Sequence, residues 1–177
     1  MELVNAAAAA ANGEIAFYIR QDSTTTWGDT SLKGAIVGSE QQWRTIKVHA
    51  RRLSSYIACP VDYLKLDIEG MEETVLREIE EKLPLVKEIR LEFHCRSTNE
   101  ANNLDRTLAL LSRYSFKYAF EVDRKVVSMY EIRRAMMHKD PYQVIIYAHR
   151  SRRRVVWQSR FVPKLIRLQK NRLGRKV

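Results

Sequence analysis

Glycine and cysteine are both scarce in this chain. Its 177 residues include six glycines, at positions 13, 28, 34, 38, 70 and 174, and no two of them are separated by a single residue. The Gly-x-Gly turn that brings bare backbone amides against a nucleotide is therefore absent. The two cysteines, Cys59 and Cys95, stand far apart with no Cys-x-x-Cys or Cys/His cluster. Neither a disulfide framework nor a thiolate zinc site is indicated, and reduced thiols in a cytoplasmic protein are expected. No apolar run approaches the ~18 residues of a membrane span, and Ala6–Ala11 follows no positively charged region of the kind that opens a secretory leader.

What remains is an ordinary globular composition with an uneven charge. Hydrophobic residues make up 45% and charged residues 29%, which excludes a disordered chain. At this length one domain is expected, burying roughly 70% of its unfolded surface. Eleven of the 31 Lys/Arg residues and none of the 21 Asp/Glu residues fall in Arg150–Val177. Residues 1–149 are thus near neutral, and the basic extension 150–177 carries the net charge of +10. With Trp157, Phe161, Leu165 and Leu168 interleaved, that extension suits an amphipathic helix on an anionic membrane surface, a phosphate-binding patch on nucleic acid, or a solvated tail. Peripheral membrane contact is the alternative it adds to a cytoplasmic location.

Periodicity sets out the order of elements. Glu2–Ala11, the Asn12-Gly13 turn signal and Glu14–Ile19 read as strand, turn, strand. The Ser/Thr/Gly-rich stretch Gln21–Glu40 reads as loop, and Trp43–His49 as a strand. After Pro60 a strand spans Val61–Asp67. A helix follows from about Met71, with Met71, Val75, Ile79 and Leu83 every four residues until Pro84. Val86–His94 is the next strand, Asn99–Tyr114 a helix with Leu104, Leu108 and Leu111 in phase, and Ser115–Val122 and Tyr142–His149 are further strands around a short helix Met129–Met137. Tyr63 reads as packing against a helix. Alternating strands and helices predict an α/β layer fold with a mostly parallel sheet and helices on its faces.

The chemistry concentrates in Val61–Glu72. An apolar strand ends in Asp67, then Glu69, Gly70 and the acidic start of a helix. Carboxylates at the carboxyl end of a strand cannot be core filling, and open α/β sheets bind ligands just outside those ends. The plainer alternative is that acidic residues favour a helix N-terminus, and Glu72 and Glu73 are read that way. Trp27 and Trp43 suit an acceptor pocket or simple aromatic packing. His49, His138 and His149 have no partner at ligand spacing.

The run Leu64-Lys65-Leu66-Asp67-Ile68-Glu69-Gly70-Met71-Glu72 resembles the FkbM family of S-adenosylmethionine-dependent methyltransferases. Asn5-Ala6-Ala7 with Gly13-Glu14 to Tyr18, and Leu91-Glu92-Phe93-His94, are similar to the family's flanking stretches in order and spacing. The resemblance implies a Rossmann-like class I methyltransferase sheet with the ends of two neighbouring strands bringing Asp67, Glu69, Glu92 and His94 into one cleft. It places Asn5 and Ala6 by the adenine of S-adenosylmethionine and Asp67 by the sulfonium and acceptor. Asp67, Glu69 and His94 are then the catalytic candidates, with Glu92 and His94 toward the substrate. Asp67 is open to three roles: general base, holder of the acceptor, or ligand with Glu92 and His94 of a divalent cation. The implied reaction is O-methylation of a hydroxyl on a sugar, glycan or polyketide-like acceptor. The alternative is a non-catalytic remnant that binds nucleic acid or an anionic membrane through its tail.

The chain departs from the family at its start. The first strand with its glycine-rich turn and the second with its acidic ribose-binding end have no counterpart before Leu3. Residues 1–149 are therefore expected to form a partial methyltransferase domain lacking the first two strands, the C-terminal part of a longer protein. The inner edge of the Val61–Asp67 strand would be left bare, and the chain alone would be poorly stable, aggregate or recruit another strand.

Overall fold

The computed structural model describes residues 3–21, 43–95, 102–138 and 142–150. Among them the chain order is β1 (Ala7–Ala9), β2 (Gly13–Arg20), β3 (Trp43–Arg52), β4 (Val61–Leu66), α1 (Glu72–Glu78), β5 (Val86–Cys95), α2 (Leu104–Arg113), β6 (Lys117–Val122), β7 (Lys125–Val127), α3 (Met129–Met136) and β8 (Tyr142–His149). Trp27, most of the expected loop Gln21–Glu40, the expected helix start at Asn99, and all of the basic extension after Arg150 lie outside the described residues.

The strands form two mixed sheets, which corrects the expectation of one mostly parallel, Rossmann-like sheet with helices on its faces. A three-stranded sheet has the order β1-β3-β2, and a five-stranded sheet the order β4-β5-β8-β6-β7. Pairs β1–β3 and β4–β5 are parallel, while β2–β3, β5–β8, β6–β8 and β6–β7 are antiparallel. The strand–helix alternation was converted into parallel crossovers, but local turns reverse the chain instead. Asp123 and Arg124 both adopt positive φ, at 49° and 64°, the geometry of a two-residue hairpin loop. That loop folds β7 back on β6, and the short α3 returns β8 antiparallel between β5 and β6.

The first turn also differs from expectation. Asn12-Gly13 does not join a hairpin: Ala9 pairs with Arg52 and Gly13 with Ala50, so β1 and β2 flank β3 and do not pair with each other. The Asn12 side chain accepts the Arg52 backbone N–H at 2.9 Å, which ties the turn to the end of β3. Gly13 sits at φ 144°, which glycine tolerates best.

One face of the five-stranded sheet makes the core. Leu64 and Leu66 of β4, Ile89, Leu91 and Phe93 of β5, and Val144, Ile146 and Ala148 of β8 alternate inward. Val75 of α1, Ile79 just past its end, and Leu104, Leu108 and Leu111 of α2 close over them, while Leu83 joins them from the 3-10 turn Glu80–Leu85, because the helix expected to run to Pro84 ends at Glu78. Burying a side chain of this size stabilises by about 1.5–3 kcal/mol. The opposite face carries Tyr63 and Lys65, then Glu88, Arg90, Glu92 and His94, then Gln143, Ile145 and Tyr147; Lys65 pairs with Arg90, Arg90 with Tyr147, and His94 with Gln143. Tyr63 is 54% exposed there and does not pack on a helix, because β4 must turn Leu64 and Leu66 inward. Among the described residues β4 is an edge strand paired with β5 alone. No helix of the described residues is long and apolar enough to cross a membrane.

Candidate functional site

The site forms where β4 and β5, parallel neighbours, reach their carboxyl ends. β4 stops at Leu66, and the chain turns through Glu69 and Gly70, at φ 52° and 100°, into α1. A left-handed conformation at a residue other than glycine costs roughly 1–2 kcal/mol, and such strain persists only where the surroundings impose it. The turn faces Asp67, Glu69 and His94 toward one another: one ligand atom from each lies within 4.8 Å of the other two.

His94 is the best-anchored member. It is 8% exposed, and its Nδ1 lies 2.8 Å from Oε1 of Glu72. Its Nε2 faces Oε2 of Glu69 at 3.5 Å. Burial pushes the imidazole pKa down, but the hydrogen bond to Glu72 and the carboxylates of Glu72, Glu69 and Asp67 outweigh it and hold the pKa above the ordinary histidine value. Asp67 is the exposed member and accepts from Nζ of Lys65 at 2.7 Å.

Glu72 and Asn102 complete the arrangement. The Glu72 carboxylate is fully buried; its Oε1 also accepts the Gly70 N–H at 3.0 Å, and its Oε2 accepts Nδ2 of Asn102 at 2.6 Å. Asn102 donates besides to the His94 carbonyl at 2.9 Å and accepts the Glu73 N–H at 2.9 Å. These bonds satisfy a buried polar cluster that would otherwise be costly. Glu73 turns the other way. Burial raises its pKa, but hydrogen bonds from Arg106, the Asn103 N–H and Arg77, together with the Arg106 charge, hold it below the ordinary carboxylate value.

Of the residues singled out from sequence, Asp67, Glu69 and His94 come together. Glu92 lies on the same face of β5 two residues before His94, and its carboxylate bonds to Arg90 at 3.3 Å and to Gln143. Asn5 and Ala6 directly precede β1, which packs on α1. Trp43 is buried. The sequence reading missed Glu72 as more than a helix-start residue and missed Asn102 entirely. Glu72 could have been found from its place in the acidic run; nothing local marks Asn102.

A rim of two carboxylates and an oriented imidazole beside parallel strand ends can hold a hydroxyl, accept its proton and face a cationic group. It also offers the oxygen-rich donor set of a hard divalent cation. The chain belongs to the methyltransferase FkbM domain family, whose profile matches residues 2–118. No curated protein and no solved structure matches it.

Proposed function

We infer that the protein takes part in S-adenosylmethionine-dependent O-methylation, with a sugar, glycan or polyketide-like hydroxyl as acceptor. The observation that supports this most is the convergence of Asp67, Glu69 and His94 within 4.8 Å at the ends of β4 and β5, in a chain of this family. The cofactor would supply an electrophilic methyl group on a sulfonium.

The residues present fit the reacting end of that cofactor. Asp67 and Glu69 would place carboxylates toward a bound sulfonium, with Asp67 also held by Lys65 at 2.7 Å. Asn5 and Ala6 are proposed to lie beside the adenine, supported by the packing of β1 on α1. No glycine-rich turn is available among the described residues to approach the nucleotide.

His94 is the proposed general base. Its Nε2 faces the rim, and its raised proton affinity suits removal of a proton from a hydroxyl as the oxygen attacks. Asp67, the most solvent-open member, orients the acceptor hydroxyl, and Glu69 stabilises the imidazolium that results. Isothermal titration of S-adenosylmethionine tests the reading: saturable binding by the wild-type chain that weakens severalfold in Asp67→Asn is expected. Absence of binding, or identical binding by the variant, overturns it.

A further inference from the structure

The direction of one proton follows from the bonding around Glu72. Both of its oxygens already accept, Oε1 from the Gly70 N–H at 3.0 Å and Oε2 from Nδ2 of Asn102 at 2.6 Å. The Asn102 amide cannot be reversed, because its Oδ1 must receive the Glu73 N–H at 2.9 Å and its Nδ2 must meet the His94 carbonyl at 2.9 Å. Oε1 also faces the Ile68 N–H at 3.4 Å, and an oxygen that accepts from two backbone amides is the acceptor in its 2.8 Å contact with His94, so that hydrogen sits on Nδ1 of the imidazole. The neutral ring then carries its lone pair on Nε2, the nitrogen facing Glu69 and the rim.

We propose that Glu72 is a positioning residue which, clamped by Asn102 and the Gly70 amide, holds neutral His94 in the Nδ1–H tautomer with its basic Nε2 turned to the acceptor. This rests on the methyl-transfer reading of the rim. The logic is that of a hydrolase triad, in which a buried carboxylate fixes the tautomer of the base without itself taking the proton. The parts come from three elements: Glu72 from the first turn of α1, His94 from β5 and Asn102 from the approach to α2. The charged groups facing the imidazole are Glu72 on α1 and Asp67 and Glu69 on the turn after β4, all anionic. They favour the imidazolium that forms during transfer, and Glu69, 3.5 Å from Nε2, favours a proton on that nitrogen, against which the shorter 2.8 Å contact of Glu72 with Nδ1 prevails.

Two-bond proton–nitrogen correlation spectra of the full chain, labelled at histidine and recorded alkaline of the His94 titration, read the tautomer directly. His94→Gln identifies the signal. The expected wild-type pattern is a protonated Nδ1 and an unprotonated Nε2, and a majority Nε2–H form overturns the proposal without any further variant. In Glu72→Gln the amide offers one acceptor where Gly70, Asn102 and His94 require two oxygens. The Nδ1–H form is expected to lose its majority, with methyl transfer falling roughly 10²-fold at little change in KM. An unchanged tautomer in folded Glu72→Gln overturns the proposal. The spectra do not depend on turnover. The Nδ1–H pattern in a chain that transfers no methyl group supports the role of Glu72 and counts against the enzymatic reading alone.

Discussion

Glu72 and Glu73 stand side by side at the start of α1, 0% and 2% exposed, and meet opposite surroundings. Glu73 is held by two cations and an amide: Nε of Arg77 at 2.8 Å, Nε of Arg106 at 2.7 Å, and the Asn103 N–H at 2.6 Å. Glu72 touches only uncharged donors and the His94 imidazole. The first arrangement fastens α1 to α2 with charges already neutralised on the protein side. The second sets a buried carboxyl group against a single titratable neighbour in hydrogen-bond contact, the His94 imidazole. Two adjacent residues of one type thus take a structural role and a proposed part in proton transfer, and the difference lies in their partners.

The strongest way to break this comparison is to remove the base. His94→Gln is expected to lower methyl transfer by about 10²–10⁴-fold, measured as label passed from S-adenosylmethionine per folded molecule, whereas Glu73→Gln leaves that rate within severalfold. Comparable losses in both variants would erase the distinction. Next in size is stability: Glu73→Ala should cost roughly 2–3 kcal/mol in chemical denaturation, because charge-assisted bonds from two half-exposed arginines and one backbone amide are lost together.

The two networks should also answer to pH with opposite signs. Glu73 has a lowered pKa in the fold, so its contribution is complete above the unfolded carboxylate value, near 4.3, and is lost as pH falls through the folded one. His94 has a raised pKa, so the stability it adds is complete below about 6.5 and is lost as pH rises through its folded value. Thermal melts across acid and mildly alkaline pH should show both slopes, the acid one shallower in Glu73→Gln and the alkaline one absent in His94→Gln. The smallest effect has the reverse direction. Glu69→Gly should stabilise by about 0.5–1 kcal/mol by relieving its positive φ, while methyl transfer falls, and a loss of stability would show that the turn is not strained.

Much of the site was legible because its residues break a local rule. Acidic positions 67 and 69 follow a strand whose inward residues Leu64 and Leu66 are apolar, and the fourfold spacing from Met71 to Leu83 announces a helix, of which Glu72–Glu78 is α-helical and Glu80–Leu85 a 3-10 turn. His94, eight residues into the next strand from Val86, then falls beside them because β4 and β5 pair in register from Val61 with Val86 to Leu66 with Leu91. Strand direction was not legible. Period-two alternation in Tyr142–His149 is the same for a parallel and an antiparallel neighbour, and the Asp123-Arg124 loop lacks the glycine that usually signals a hairpin. Asn102 was invisible for a different reason: its three partners, on Glu72, Glu73 and His94, lie 8 to 30 residues away in sequence, and only the fold brings them together.

The central claim is that the Asp67–Glu69–His94 rim carries methyl transfer. Incubation of the chain with S-adenosylmethionine bearing an isotopic methyl group and a panel of hydroxyl-bearing glycosides measures it most directly. The account predicts label in at least one acceptor from the wild-type chain and its near-complete loss in Asp67→Asn and His94→Gln. No label from the wild-type chain, or undiminished label from both variants, would contradict it.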